Sequence, residues 1–202
     1  MNNHQSAKRN CWSHSIWLVS LCLLACCAPA PKVSYYSLLD TTLLTSTDAQ
    51  VNGLAVSVGP VTINDVFNRS QIVTEGENGV YTMSEFRRWT SNLSDEIARA
   101  LAELLALDLQ TDRVSIFPEG QFLKVDCRVA IDVISMNGML GKDANLIIRW
   151  ALVDPNGKKP PVIRKTQLKR HPRGDGYLAW VEAQQENLKE LGTAIAAAIK
   201  KF

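Results

Sequence analysis

One cysteine in this chain stands in a frame that gives its thiol a defined use. Leu23-Leu24-Ala25-Cys26 closes an apolar run that begins at Ile16, and Lys8 and Arg9 lie upstream of it. A positive stretch, a short apolar stretch and a small residue before a cleavage point are the parts of an export signal. The run is too short to cross a bilayer, so a cleaved signal over residues 1–25 fits better than a transmembrane helix. The alternative is an ordinary secretory signal with an incidental cysteine.

The same residues resemble the bacterial lipobox, with a small residue before the cysteine and a leucine three before it. The resemblance implies that Cys26 becomes a lipidated N-terminus carrying acyl chains such as palmitate. Cys27 is the rival site, but it would put Cys26 in the small-residue slot, a poorer match. The residue after Cys26 is Cys27 and not Asp. Asp there favours inner-membrane retention in enteric bacteria, so the resemblance implies outer-membrane sorting, with the domain facing the periplasm of a Gram-negative cell.

The other reactive side chains are thinly spread. Of 5 cysteines, Cys11 and Cys22 leave with the signal and lipid consumes one of the next two. Cys127 sits in an alternating apolar run, where cysteine behaves as a small buried hydrophobe. A Cys27–Cys127 bridge is open to an exported chain but fits poorly with a tether and a core position. His171 is the one histidine beyond the signal, which excludes a two-histidine metal site. Asp126 and Asp132 share the polar face of one strand but lie too far apart to form a carboxylate pair. No phosphate-binding loop is present, because neither Ser57-Val58-Gly59 nor Gly138-Met139-Leu140-Gly141 leads into Lys-Ser/Thr and a helix. No catalytic residue, metal site or cofactor is expected.

Charge removes another class. The chain holds 22 Lys+Arg and 20 Asp+Glu, and residues 1–25 contain Lys8 and Arg9 but no acid, so the exported part is neutral. That takes away the electrostatic case for nucleic acid. Three clusters remain as contact candidates for a partner or a lipid surface. Arg69 and Gln71 sit between a loop and a strand, where an ordinary strand-edge role is the plainer alternative. Arg87 and Arg88 lie between Phe86 and Trp89, an aromatic-basic set of the kind enriched at interfaces, although Trp89 fits a core position better. Lys165, Lys169 and Arg170 belong to a basic tract over 158–173. That tract could meet phosphate head groups or an acidic surface, or be a solvated hairpin balanced by acids elsewhere.

The elements that must position these residues read as one mixed α/β domain over residues 34–202, behind a Pro/Ala tether at 26–33. Strands are expected at 33–38, at 54–58 with Gly59-Pro60 as a breaker behind it, at 71–74 and at 80–83. The last two form a hairpin about Glu75-Gly76-Glu77-Asn78-Gly79. Residues 40–50 read as a polar loop. Leu93, Ile97, Leu101 and Leu104 make one face of a helix from Thr90 to Leu107, and Asp95 and Glu96 near its start complement the dipole. Further strands are expected at 114–117, 122–136, 145–153 and 162–168, and a last helix at 177–202. In the long strand Val125, Cys127, Val129, Ile131 and Val133 share one face. Interleaved strands and helices favour one sheet covered by helices.

Four segments in order resemble the PqiC-like family of ABC-type transport auxiliary lipoproteins. They are Tyr35-Tyr36-Ser37-Leu38, Val58-Gly59-Pro60-Val61-Thr62-Ile63, Asn68-Arg69-Ser70-Gln71-Ile72-Val73 and Phe86-Arg87-Arg88-Trp89 with Leu93 behind it. The chain departs at Thr90-Ser91-Asn92, where members more often carry Ala, Glu and Pro. The resemblance implies a three-layer α/β fold, a mixed β-sheet packed by helices, similar to the anticodon-binding and TolB N-terminal type. It implies a non-enzymatic accessory subunit beside an MCE-domain protein in lipid transport between membranes, anchored to the outer membrane and supporting envelope integrity. It brings no catalytic residues and leaves room for a homo-oligomer. The alternative is a lipid carrier that holds an acyl chain in its own cavity. An enzyme, which would have to use His171, is a distant third.

Overall fold

The computed structural model describes residues 31–43, 53–119 and 124–202. The lipidation positions Cys26 and Cys27 lie outside them, as do most of the 40–50 loop and Phe122. The elements are β1 (Ser34–Tyr36), β2 (Val56–Ile63), β3 (Gln71–Glu75), β4 (Tyr81–Trp89), α1 (Leu93–Leu109), β5 (Val114–Ile116), β6 (Cys127–Asn137), β7 (Ala144–Val153), β8 (Val162–Arg170) and α2 (Tyr177–Ile199).

The mixed α/β class expected from the pattern holds, and the strands divide between two sheets rather than one. Five strands run in the order β5-β2-β6-β7-β8, and three in the order β1-β4-β3. β2 lies parallel to both β5 and β6, while β6, β7 and β8 meander antiparallel. In the small sheet β1 pairs parallel with β4, and β3 and β4 form the expected hairpin.

Strict alternation explains the large sheet. Cys127, Val129, Ile131 and Val133 of β6 face the helices, as do Leu146, Ile148, Trp150 and Leu152 of β7, and all are buried. A bulge between Val133 and Ser135 shifts the phase and returns Met136 to the same face. Against this surface α1 lays Ile97, Leu101 and Leu105, and α2 lays Leu188, Leu191 and Ile195, all 0% exposed. Each such leucine is worth about 1.5–3 kcal/mol of transfer free energy. The helices approach closely where Gly192 meets Leu104: a Cβ on Gly192 would lie 3.1 Å from the leucine Cβ.

Two local expectations are corrected. Gly59-Pro60 does not end β2. The strand runs on to Ile63, with a register shift between Val58 and Val61 that absorbs the interruption. The strand expected at 80–83 does not end there either: β4 takes in Phe86-Arg87-Arg88-Trp89, which stands just ahead of α1. That strand continues past Met83 through an irregularity in its pairing with β3.

The sheets meet at the end of β6. The Glu75 N–H donates to the Gly138 carbonyl at 2.8 Å, and Asn137 Nδ2 donates to Glu75 Oε2 at 2.9 Å. Gly138 turns the chain into β7 with φ +133°, and a Cβ there would fall 2.3 Å from the Asp143 carbonyl oxygen. Only glycine fits.

Candidate functional site

Strand order brings two of the predicted contact residues together. In the small sheet Tyr35 of β1 is registered with Arg88 of β4, and Arg88 with Gln71 of β3. The three side chains therefore stand side by side on one face. Arg88 is steadied by its own strand: Nε donates to the Glu85 carbonyl at 3.1 Å, and Nη2 lies 3.9 Å from the Glu85 carboxylate. Tyr35 is 64% exposed beside it. An exposed tyrosine next to a half-buried arginine is suited to a protein contact.

Arg87 and Arg69 do not join that row. Arg87 leaves from the other face of β4 and sets its guanidinium 6.0 Å from the Tyr177 ring centroid at the start of α2. Arg69 turns along the hairpin, donating to the Asp65 carbonyl at 3.1 Å, with Nη1 2.7 Å from Met83 Sδ. Both arginines act within the fold. Trp89 is buried as expected and packs 6.3 Å from Trp180.

The basic tract separates into paired and unpaired cations. Lys169 meets Asp143 at 2.9 Å and Arg170 meets Glu190 at 2.7 Å. Burial alone would push the Asp143 carboxyl up. Its hydrogen bonds from Lys169 and the Met139 N–H outweigh that and hold it below the usual carboxylate range. His171 Nδ1 lies 2.7 Å from the Lys142 carbonyl, a backbone tie that occupies that ring nitrogen. Lys165 has no ion-pair partner among the described residues. Where β8 ends beside α2 a cleft of about 690 Å³ opens, with Lys169, Arg170 and Arg173 facing Asp40, Glu182 and Glu186. Its walls carry both signs of charge, so it is no shelter for an acyl chain.

The remaining acids and the thiol hold structure. Asp126 accepts from the Ala55 N–H at 2.9 Å, and Asp132 pairs with Arg149 at 3.0 Å. Cys127 is a free buried thiol, and burial pushes its pKa up to about 11, far from a reactive thiolate. Among the described residues, no group of three His, Cys, Asp or Glu is placed to hold a metal.

Glu96 is the polar residue that sequence reasoning undervalued. It is 3% exposed. It accepts from Ser37 Oγ at 2.8 Å, the Leu38 N–H at 2.9 Å, Ser91 Oγ at 2.9 Å and the Thr90 hydroxyl. Burial works to raise its pKa, and the four donors override it and leave the carboxyl below its ordinary value. Thr90 and Ser91, expected in the first turn of α1, instead precede it as donors to this carboxylate. On α2, Gln184 donates to the Asn137 and Asn145 carbonyls, both at 3.2 Å, and Asn187 to the Ala144 carbonyl at 3.0 Å. Two buried amides at i and i+3 in a helix were the only hint of that role.

The described residues thus form an α/β domain with a filled core and one row of Tyr35, Arg88 and Gln71 at the surface of its small sheet. The chain belongs to the family of ABC-type transport auxiliary lipoprotein components, whose model matches residues 36–196. No curated protein matches it in sequence. Among solved structures, the fold is similar to that of an uncharacterized protein at TM-score 0.66 and 19% identity, covering 84% of this chain and 99% of that one. It is similar to a Xanthomonas campestris protein of the DUF330 family at TM-score 0.63 and 12% identity, covering 81% and 93%. A looser likeness is to the PelC dodecamer from Paraburkholderia phytofirmans, at TM-score 0.46 and 12% identity over 74% and 93%. At such identities the likeness is of fold. Among the described residues no helix is long and apolar enough to cross a membrane.

Proposed function

We propose that this protein is a non-enzymatic accessory subunit of an MCE-type lipid-transport assembly, tethered to the outer membrane through a lipidated Cys26 and facing the periplasm. The observation that carries the reading is the extent of the family match. It runs from Tyr36, the last residue of β1, through most of α2, which supports assigning the transport-auxiliary role to the folded domain as a whole. The row of Tyr35, Arg88 and Gln71 is the surface we assign to the MCE-domain protein. A C2 or ring-forming contact between copies is compatible with the same row.

The carrier reading has less support. The 690 Å³ cleft beside α2 is charged on both walls, and the space between helices and sheet is filled by Leu101, Leu188, Leu191, Ile148 and their neighbours. An acyl-chain carrier needs an apolar pocket of several hundred cubic ångströms.

Photo-crosslinking tests the proposal. A crosslinker placed at Gln71 in the native envelope is expected to trap an MCE-domain protein, and one at Lys158 is not. Equal trapping at both positions, or trapping of unrelated envelope proteins alone, would remove the MCE assignment. Intact mass should show loss of residues 1–25 and a lipid adduct. Fractionation with inner-membrane markers would contradict only the sorting step.

A further inference from the structure

Strand β8 is the outer edge of the five-stranded sheet, paired with β7 alone, and Leu168 is its one buried residue. Across from Arg164, Lys165 and Thr166, α2 presents only small side chains, Ala194, Ala197 and Ala198. A trough is left between them, formed by two adjoining clefts of about 420 and 360 Å³ that share Arg164, Ala198 and Lys201. The floor is apolar, with Trp150 held in place by its Nε1 donating to Thr166 Oγ1 at 3.0 Å. The rim is basic, and no Asp or Glu side chain lines either cleft; at its far end Lys159 Nζ donates to the Phe202 main-chain oxygen, which leaves Arg164, Lys165 and Lys201 as the open cations. Arg164, Lys165 and Lys201 have no ion-pair partner among the described residues. This contrasts with the cleft at the other end of β8, where acids face the cations.

An edge strand offers unpaired backbone donors and acceptors. β8 carries Arg164, Lys165, Lys169 and Arg170 and no acid over its 9 residues. Pairing with β8 of a second copy would set cation against cation, which is repulsive. The charges that reject a like strand select an unlike one. We infer that β8 and the alanine-floored trough form a docking edge for an extended acidic segment of a partner protein, which adds to the sheet as a sixth strand.

Register makes the requirement specific. Arg164 and Thr166 lie on the helix side of β8, opposite Trp150 and Ile148, and Lys165 lies on the outer face opposite Arg149. Successive side chains of an added strand alternate between faces. An acid beside Arg164 would lie at the trough, and one beside Lys165 on the open face. An apolar side chain next to Thr166 would rest over Ala194 and Ala197. The inference does not depend on the identity of the transport assembly.

The test uses the full-length chain in neutral detergent and a fluorescent peptide of alternating Glu and Val, as long as the 9 residues of β8. We expect salt-sensitive binding and slowed hydrogen exchange at the β8 amides. Arg164→Glu combined with Lys165→Glu should weaken binding at least about tenfold. Ala197→Trp changes no charge, lies on an exposed position and should also weaken it by filling the trough; an unchanged melting curve shows that this variant is folded. No binding by the peptide overturns the inference. So does equal binding by a peptide N-methylated at alternate residues, which cannot complete a strand ladder. Protection of β8 by phosphatidylglycerol vesicles and not by the peptide would assign the edge to lipid and likewise overturn it.

Discussion

The two sheets are held by different proportions of the same forces. The five-stranded sheet is fixed by apolar area: its inner face and both helices bury a continuous set of Val, Ile, Leu and Trp side chains. The three-stranded sheet leaves Tyr81, Met83 and Phe86 of β4 exposed at 44%, 50% and 41%. It sinks Ile72, Val73 and Trp89 into the common core and adds polar ties, namely Glu96 to Ser37 and Leu38, Gln185 Nε2 to the Ser37 carbonyl at 3.0 Å, and Glu75 to Asn137 and Gly138. Apolar burial is tolerant of direction and strong in sum. Hydrogen bonds are directional and individually modest. The large sheet therefore rests almost wholly on burial, whereas the small one depends more heavily on a few directional ties.

The strongest way to break that contrast is to strike the junction. Gly138→Val adds a branched side chain where φ is +133° and a Cβ meets the Asp143 carbonyl. Strain and overpacking together should cost about 3–5 kcal/mol, lowering the unfolding midpoint of the whole domain. A midpoint near wild type would mean that the junction rearranges freely.

Leu191→Ala strikes the apolar side alone. The side chain is fully buried in α2, and its truncation should cost about 2–5 kcal/mol in denaturant unfolding. Unchanged melting with lost liposome binding would show instead that the last helix serves a membrane.

Glu96→Gln strikes the polar side. The amide replaces one acceptor with a donor facing donors, and the loss should be about 1.5–3 kcal/mol. Exchange is expected to accelerate at β1 and the β3–β4 hairpin before β6 and β7. Acid should have a related effect. The folded carboxyl sits below its unfolded value, so its contribution is complete above the ordinary glutamate range and fades as pH falls through the folded pKa. The variant should therefore lose less stability than wild type between neutral pH and acid. A parallel loss in both would remove Glu96 from the account.

The smallest effect is expected at Arg170 and Glu190, an exposed pair. A double-mutant cycle should give about 0–1 kcal/mol of coupling. A larger value would mean that the cleft beside it is ordered by that pair.

What the sequence revealed followed the same division. The helical faces and the period-two run of β6 were legible because apolar burial writes itself as local periodicity. Of the small sheet only the β3–β4 hairpin was legible, because β1 finds β4 across more than fifty residues, and Ser84 to Arg88 show no clean alternation. Glu96 read as a dipole complement since its other partners, Ser37 and Leu38, are equally distant in sequence. Gly59-Pro60 looked like a terminus because the parallel neighbour that carries β2 onward, β6, cannot be read locally. Of the contact residues, Gln71 and Arg88 proved to be cross-strand neighbours, a fact that only the register supplies. Arg69 and Arg87 turned out to be tied into the fold.

The way β1 is fastened also decides how the domain takes mechanical load. Tension applied through the chain ahead of Ser34 reaches first the three registered pairs with β4. Directly behind them the Tyr36 carbonyl accepts from the Thr90 N–H at 2.9 Å, and Ser37 and Leu38 are moored to Glu96 and Gln185. The pull thus passes within a few residues from one short strand into both helices and is shared across the core. A domain pulled by its leading end would give way last where its packing is deepest.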